Sequence, residues 1–76
     1  MIRARLGSSM MASAGYDATA RILEIEFASG AVYQYFEVPL DVYLELLDAP
    51  SQGRLFHSRI RGVFGCHRVT DEASAQ

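Results

Sequence analysis

The chain has 76 residues, half of them hydrophobic, with seven arginines, no lysine, nine acids and a formal net charge of −2. That length holds one domain at most and buries only about 60% of the unfolded surface, while the apolar content excludes a disordered chain. The single cysteine, Cys66, excludes an internal disulfide, so the core holds without a covalent staple at a stability on the order of 5 kcal/mol.

A lone cysteine suits a reducing compartment, and the cytoplasm is expected. No apolar run approaches the roughly 18 residues that span a bilayer. The basic start Met1-Ile2-Arg3-Ala4-Arg5 and the small Ala12-Ser13-Ala14 imitate the ends of a signal peptide, but no apolar stretch joins them. The net charge conceals a partition. Arg3 and Arg5 make residues 1–16 basic, seven acids against Arg21 make residues 17–48 acidic, and Arg54, Arg59, Arg61 and Arg68 stand in residues 49–69 without an acid. Local charge of this kind, rather than net charge, sets the field at a binding face.

Residues 1–8 read as a loose N-terminal arm, residues 9–69 as one domain, and the polar, acidic residues 70–76 as a disordered tail. Ser9 to Tyr16 is a weak strand candidate, and Asp17 can open the turn that follows by accepting from its own backbone. Arg21 to Phe27 is a strong strand, with Ile22, Glu24 and Glu26 alternating with Leu23, Ile25 and Phe27. Ala28-Ser29-Gly30 suits a three-residue hairpin loop with Gly30 in the left-handed position. This loop sets Ile25 opposite Tyr33 and Leu23 opposite Tyr35, so both tyrosines face the core. A two-residue loop would turn Val32, Gln34 and Phe36 inward instead. The first register buries two aromatics rather than one aromatic and a glutamine, and is preferred.

Pro39 fits the first turn of a helix. Leu40, Tyr43, Leu44 and Leu47 then share one apolar face, and Asp41, Glu45 and Asp48 share another. Pro50 stops this helix and Ser51 can cap the next. From Ser51 to Arg61, Phe56 and Ile60 lie on one side, with Arg54, His57, Ser58 and Arg61 within about 100° on the other. Gly53 permits a close neighbour, Gly62 ends the helix, and Val63 to Val69 supplies a last strand at a sheet edge. The pattern is α+β: a small antiparallel meander of three to four strands with two short helices packed on one face.

Candidate chemistry is sparse. Tyr33 and Tyr35 are either core residues or a platform that stacks nucleic-acid bases. Arg54, His57 and Arg61, with Arg59 and Arg68, can hold phosphates, since arginine bonds phosphate oxygens in pairs, or can pair with the acidic helix face. His57, Cys66 and His67 lack the spacing of metal ligands, and no cofactor is implied. No nucleophile, zinc or phosphate-loop motif is present, and Glu24 and Glu26 read as solvated acids, so the chain is not expected to be an enzyme. Cys66 reads as a half-buried small hydrophobe, and Met10-Met11 as packing.

The ordered set Gly30, Tyr33-Gln34-Tyr35, Val38-Pro39, Tyr43, Ala49, Ser51, Gly53, Phe56 and Ile60-Arg61 resembles the KTSC domain, a family named for the C-terminus of some lysyl-tRNA synthetases and marked by a central Tyr-x-Tyr motif. The resemblance runs from about Ser8 to Val69. It implies one compact fold unit, gives Gly30, Tyr33, Tyr35, Pro39, Ser51 and Gly53 the part of motif residues, and suggests RNA binding. His57 and Phe64-Gly65 depart from the family's usual Asn and Tyr-Pro-like step.

Two expectations follow. The first is a non-enzymatic module that binds single-stranded or structured RNA through Arg54, His57, Arg59, Arg61 and Arg68. About four phosphate contacts on a single strand would give a slope of log K against log salt near −3. The second is a protein-interaction module or small regulator, including an inhibitor of nucleic-acid machinery, whose segregated charge suits docking on a partner. The free chain would be a monomer or a homodimer, the latter through an exposed sheet edge or the outer Val32–Phe36 row.

Overall fold

The computed structural model describes residues 2–69. Five strands, β1 (Arg3–Arg5), β2 (Met11–Asp17), β3 (Ile22–Phe27), β4 (Val32–Tyr35) and β5 (Cys66–Val69), form one antiparallel meander in chain order. Two helical segments lie between β4 and β5: α1 (Leu40–Asp48), then α2 (Gln52–Leu55), which runs directly into a π turn (Phe56–Ile60).

The β3–β4 hairpin has the preferred register, with Leu23 opposite Tyr35 and Ile25 opposite Tyr33. Its loop closes through the Phe27 N–H donating to the Ala31 carbonyl at 2.8 Å and the Gly30 N–H to the Phe27 carbonyl at 2.9 Å. Gly30 takes a φ of 99°, open to glycine alone without strain. Asp17 opens the preceding turn, its carboxylate accepting from the Thr19 and Ala20 amides at 3.0 and 3.2 Å.

Alternation along each strand divides the sheet. One face carries Ala14, Leu23, Ile25 and Tyr35 into a core completed by Met11, Val38, Val42, Leu46, Phe56 and Ile60. The other face is polar. There Arg3 reaches Glu24 at 3.1 Å and Glu26 at 3.4 Å, the Ser13 hydroxyl donates to Glu26 at 2.9 Å, and the Gln34 amide donates to Glu24 at 2.9 Å. Glu24 and Glu26 are thus paired rather than merely solvated.

Three expectations are corrected. The strand count is five, because part of the N-terminal arm is a strand: Arg3–Arg5 pairs with Gly15 to Ser13 of β2. Charge fastens it, through Arg3 to acids on β3, and hydrophobic alternation does not register that attachment. The apolar face assigned to α1 is also rotated. Val42 and Leu46 are buried, while Leu40 and Leu44 are half-exposed. The cause lies before the helix: Glu37 at φ 58° and Pro39 in extended geometry aim the chain so that Val38, fully buried, starts a line that Val42 and Leu46 continue at i+4 spacing. Finally, Cys66 is exposed rather than half-buried. The tail expected over residues 70–76 lies outside the described residues.

The remaining helical signals hold. Ser51 caps α2, its hydroxyl accepting from the Arg54 amide at 3.3 Å. Phe56 and Ile60 are buried, and Gly62 leaves the π turn at φ 77°. Tyr16 ties sheet to helix, donating its hydroxyl to the Val38 carbonyl and stacking on Tyr43 with centroids 5.3 Å apart. No helix among the described residues is long and apolar enough to cross a membrane.

Candidate functional site

The two helices are too short to roof the whole sheet. They cover β2, β3 and the Tyr35 end of β4, and leave the hairpin end of β4 with β5 on the same face open as a cleft of about 780 Å³. This lies in the range of small-molecule and cofactor sites, roughly 300–1,000 Å³. Both motif tyrosines line it, with Phe27 and Phe56 beside them and Arg61, Arg68, His57 and Cys66 around them.

The aromatic rings form a closed circuit. Phe27 meets Tyr33 edge-on at 5.8 Å and Phe56 at 5.5 Å. Tyr35 meets Phe56 at 5.8 Å and lies 6.5 Å from Tyr33. Each ring therefore touches two others, in geometries that aromatic quadrupoles favour. The circuit sits at the boundary between core and cleft. Tyr35 is buried, whereas Tyr33 is half-buried, one row nearer the hairpin. The choice between core and platform thus splits by residue, with Tyr35 in the core and Tyr33 in the cleft wall. Burial pushes the Tyr35 phenol up to about 12, with smaller upward contributions from Cys66 and Tyr33 and a downward one from Arg61. The hydroxyl is therefore neutral and able to donate at any physiological pH.

The cations reach the cleft by two routes. Arg68 pairs with Tyr33 across the β4–β5 ladder, and Cys66 pairs with Tyr35, so strand register alone puts both on the cleft side. Arg61 arrives through the π turn, whose last bond runs from the Arg61 N–H to the Phe56 carbonyl at 2.8 Å. A bond that spans five residues stacks Arg61 over Phe56, where a regular α-helix would carry it about 140° away. His57 stands at the rim, its ring edge-on to Phe56 at 5.5 Å.

The five residues expected to contact nucleic acid are thus divided. His57, Arg61 and Arg68 line the cleft. Arg54 is exposed on α2, outside it. Arg59 is taken up by Glu45 at 2.6 Å, which is the pairing with the acidic helix face that the sequence also allowed. Sequence reasoning did not place Phe27 and Cys66 at the site. The Cys66–Tyr35 pairing was within reach of an alternation argument, but the loop of residues 61–65 hides the β5 register. Among the described residues no group of three His, Cys, Asp or Glu side chains is arranged to hold a metal ion, and Cys66 and His67 point to opposite faces of β5.

The other motif residues support the site from behind. Pro39 and Ser51 begin the two helices. Gly53 faces the Met10 methyl group, where an added Cβ would stand at an ordinary 3.9 Å.

A five-stranded meander roofed at one end, with an aromatic and cationic cleft at the other, defines a small α+β domain of one kind. The KTSC domain family model matches residues 7–64, and the chain belongs to that family. It is 38% identical to a KTSC domain protein from Yersinia pestis of known crystal structure, with a TM-score of 0.88 over 91% of this chain and 97% of that one. A protein of Stutzerimonas stutzeri is 51% identical over 57 residues, which are 75% of this chain and 80% of that protein. A lysine–tRNA ligase of Trichormus variabilis is 53% identical over 49 residues, 64% of this chain but only 9% of the ligase. The chain therefore corresponds to a small part of that enzyme.

Proposed function

We propose that the chain is a non-enzymatic, cytoplasmic module that binds single-stranded RNA in the cleft over β4 and β5. One observation carries this reading: the half-buried Tyr33 ring shares one open cleft with Arg61 and Arg68, Arg68 standing directly opposite it across the β4–β5 ladder. An unpaired base stacks on Tyr33, and the two guanidinium groups take the flanking phosphates. Stacking on an aromatic wall requires a base free of its partner, which selects single strands over duplex. That a lysine–tRNA ligase carries a related segment agrees with a module that serves RNA-handling proteins.

The division of the arginines sharpens the expected affinity. With two phosphate contacts rather than four, the slope of log K against log salt is about −1.4. Fluorescence anisotropy with a labelled mixed-sequence 12-mer RNA measures it. Replacing Arg61 or Arg68 by Ala should flatten the slope by about 0.7 each, while Arg54→Ala leaves it unchanged. An unchanged slope in the Arg61→Ala, Arg68→Ala double variant, or equal binding of duplex RNA, would overturn the proposal.

A further inference from the structure

The solvent face of α1 supports an inference that does not depend on the cleft. Val42 and Leu46 fix the core side of this helix. At about 100° per residue, Leu44 points about 180° from that side and Leu40 about 140°. Their exposures, 51% and 49%, are therefore not those of core leucines at the margin, because these side chains are aimed at water. Leu47, half-buried, falls beside them and completes a ridge one turn apart. Single exposed leucines are ordinary, but a ridge opposite the core on a two-turn helix is the arrangement that partner helices read at i and i+4.

Charge identifies the partner. Asp41 and Asp48 border the ridge on one side, and neither takes part in an ion pair among the described residues. Asp48 lies in the last turn of α1, which holds no basic residue, so its carboxylate adds to the negative end of the helix dipole, where a cation would be favoured. Glu45, by contrast, is already neutralised by Arg59. The surface is thus apolar along one line and negative along the next, with neither aspartate in an ion pair among the described residues.

We infer that Leu40, Leu44 and Leu47, with Asp41 and Asp48, form a docking surface for a basic amphipathic helix of a protein partner. The partner's apolar residues would cover the leucine ridge, and its lysines or arginines would meet the two aspartates and the end of α1. The site lies apart from the cleft, none of whose lining residues belongs to α1, so RNA and this partner would bind together.

The test uses an 18-residue Leu–Lys amphipathic helical peptide titrated into methyl-labelled protein and followed by NMR. Shifts are expected at the Leu40, Leu44 and Leu47 methyls, with the Tyr33 and Cys66 amides unmoved. The Leu40→Ser, Leu44→Ser double variant should weaken binding roughly tenfold, and Asp41→Asn with Asp48→Asn roughly threefold. All four positions are exposed, so the fold survives these changes, and an unchanged amide spectrum elsewhere checks that it has. Three results would each overturn the inference: undiminished binding by the serine variant, equal affinity for a Leu–Glu peptide of the same length, or leucine methyl shifts that follow dilution of the free protein, which would assign the ridge to a second copy of the chain.

Discussion

The face of the sheet that carries the core has two halves, and they differ in what the helices do to them. Over β2 and β3, α1 and the π turn press Leu23, Ile25, Met11 and Ala14 out of contact with water entirely. Over β4 and β5 the same face carries Tyr33, Arg68 and Cys66, and no helix covers them. The strand alternation is the same in both halves. Composition follows coverage: aliphatic side chains where the roof is complete, and aromatic, cationic and thiol groups where it stops. Tyr35 and Phe56 form the wall between, buried on one side and lining the cleft on the other. The fully buried aliphatic core lies in one half, and the ionisable side chains of this face lie in the other.

Substitutions should separate the halves. In the covered half, Leu23→Ala removes a fully buried side chain and should cost about 2–5 kcal/mol, comparable to the whole stability of a domain this size. Urea unfolding should therefore show most of the variant unfolded or nearly so. In the open half, Tyr33→Ala should cost roughly 1–2 kcal/mol of stability yet weaken RNA binding by about 1–3 kcal/mol. Unfolding and anisotropy measured on the same sample would show whether binding and folding part company there.

The wall between the halves titrates. The folded pKa of Tyr35 is about 12, against about 10 in the unfolded chain, so the neutral phenol is favoured by folding. Its contribution is whole below pH about 10 and is lost as the pH rises to about 12, a difference of at most about 3 kcal/mol that solvent at the open side of the ring reduces. Tyr35→Phe should flatten this part of the stability profile, measured by denaturant melts at intervals of pH. A profile as steep as that of the parent would place the alkaline transition on other tyrosines. The smallest effect belongs to the covered side's rim. Gly53→Ala meets only ordinary contact with Met10 and should stabilise by about 0.4–1 kcal/mol through the unfolded chain, raising the denaturation midpoint without changing RNA affinity.

Local patterns were legible in the sequence, and placements were not. The hairpin register followed from loop length and aromatic burial, and Ser51, Phe56 and Ile60 from capping and i+4 spacing, because each depends on a few neighbouring residues. The β1 strand depends on Arg3 meeting acids two strands away, which no local window contains. The rotation of α1 depends on the left-handed Glu37, a conformation that glutamate does not advertise. The basic residues were found by type, but grouping them on a regular helical wheel placed Arg54 with Arg61. The π turn separates those two and delivers Arg61 to Phe56 instead. The cleft itself arises from how far two short helices reach across five strands, and β1 was not among the strands the sequence supplied.

The central claim is that the unroofed end of the sheet is the ligand-bearing surface. An NMR titration of labelled protein with mixed-sequence single-stranded RNA, at about 50 mM and then about 200 mM salt, tests it most directly. The account predicts shifts at Tyr33, Arg61, Cys66, Arg68 and His57 that weaken at the higher salt, with Arg54, Arg59 and the Arg3–Glu24 face unmoved. Shifts centred on Arg3, Arg5 or Arg54, or none at the lower salt, would contradict it.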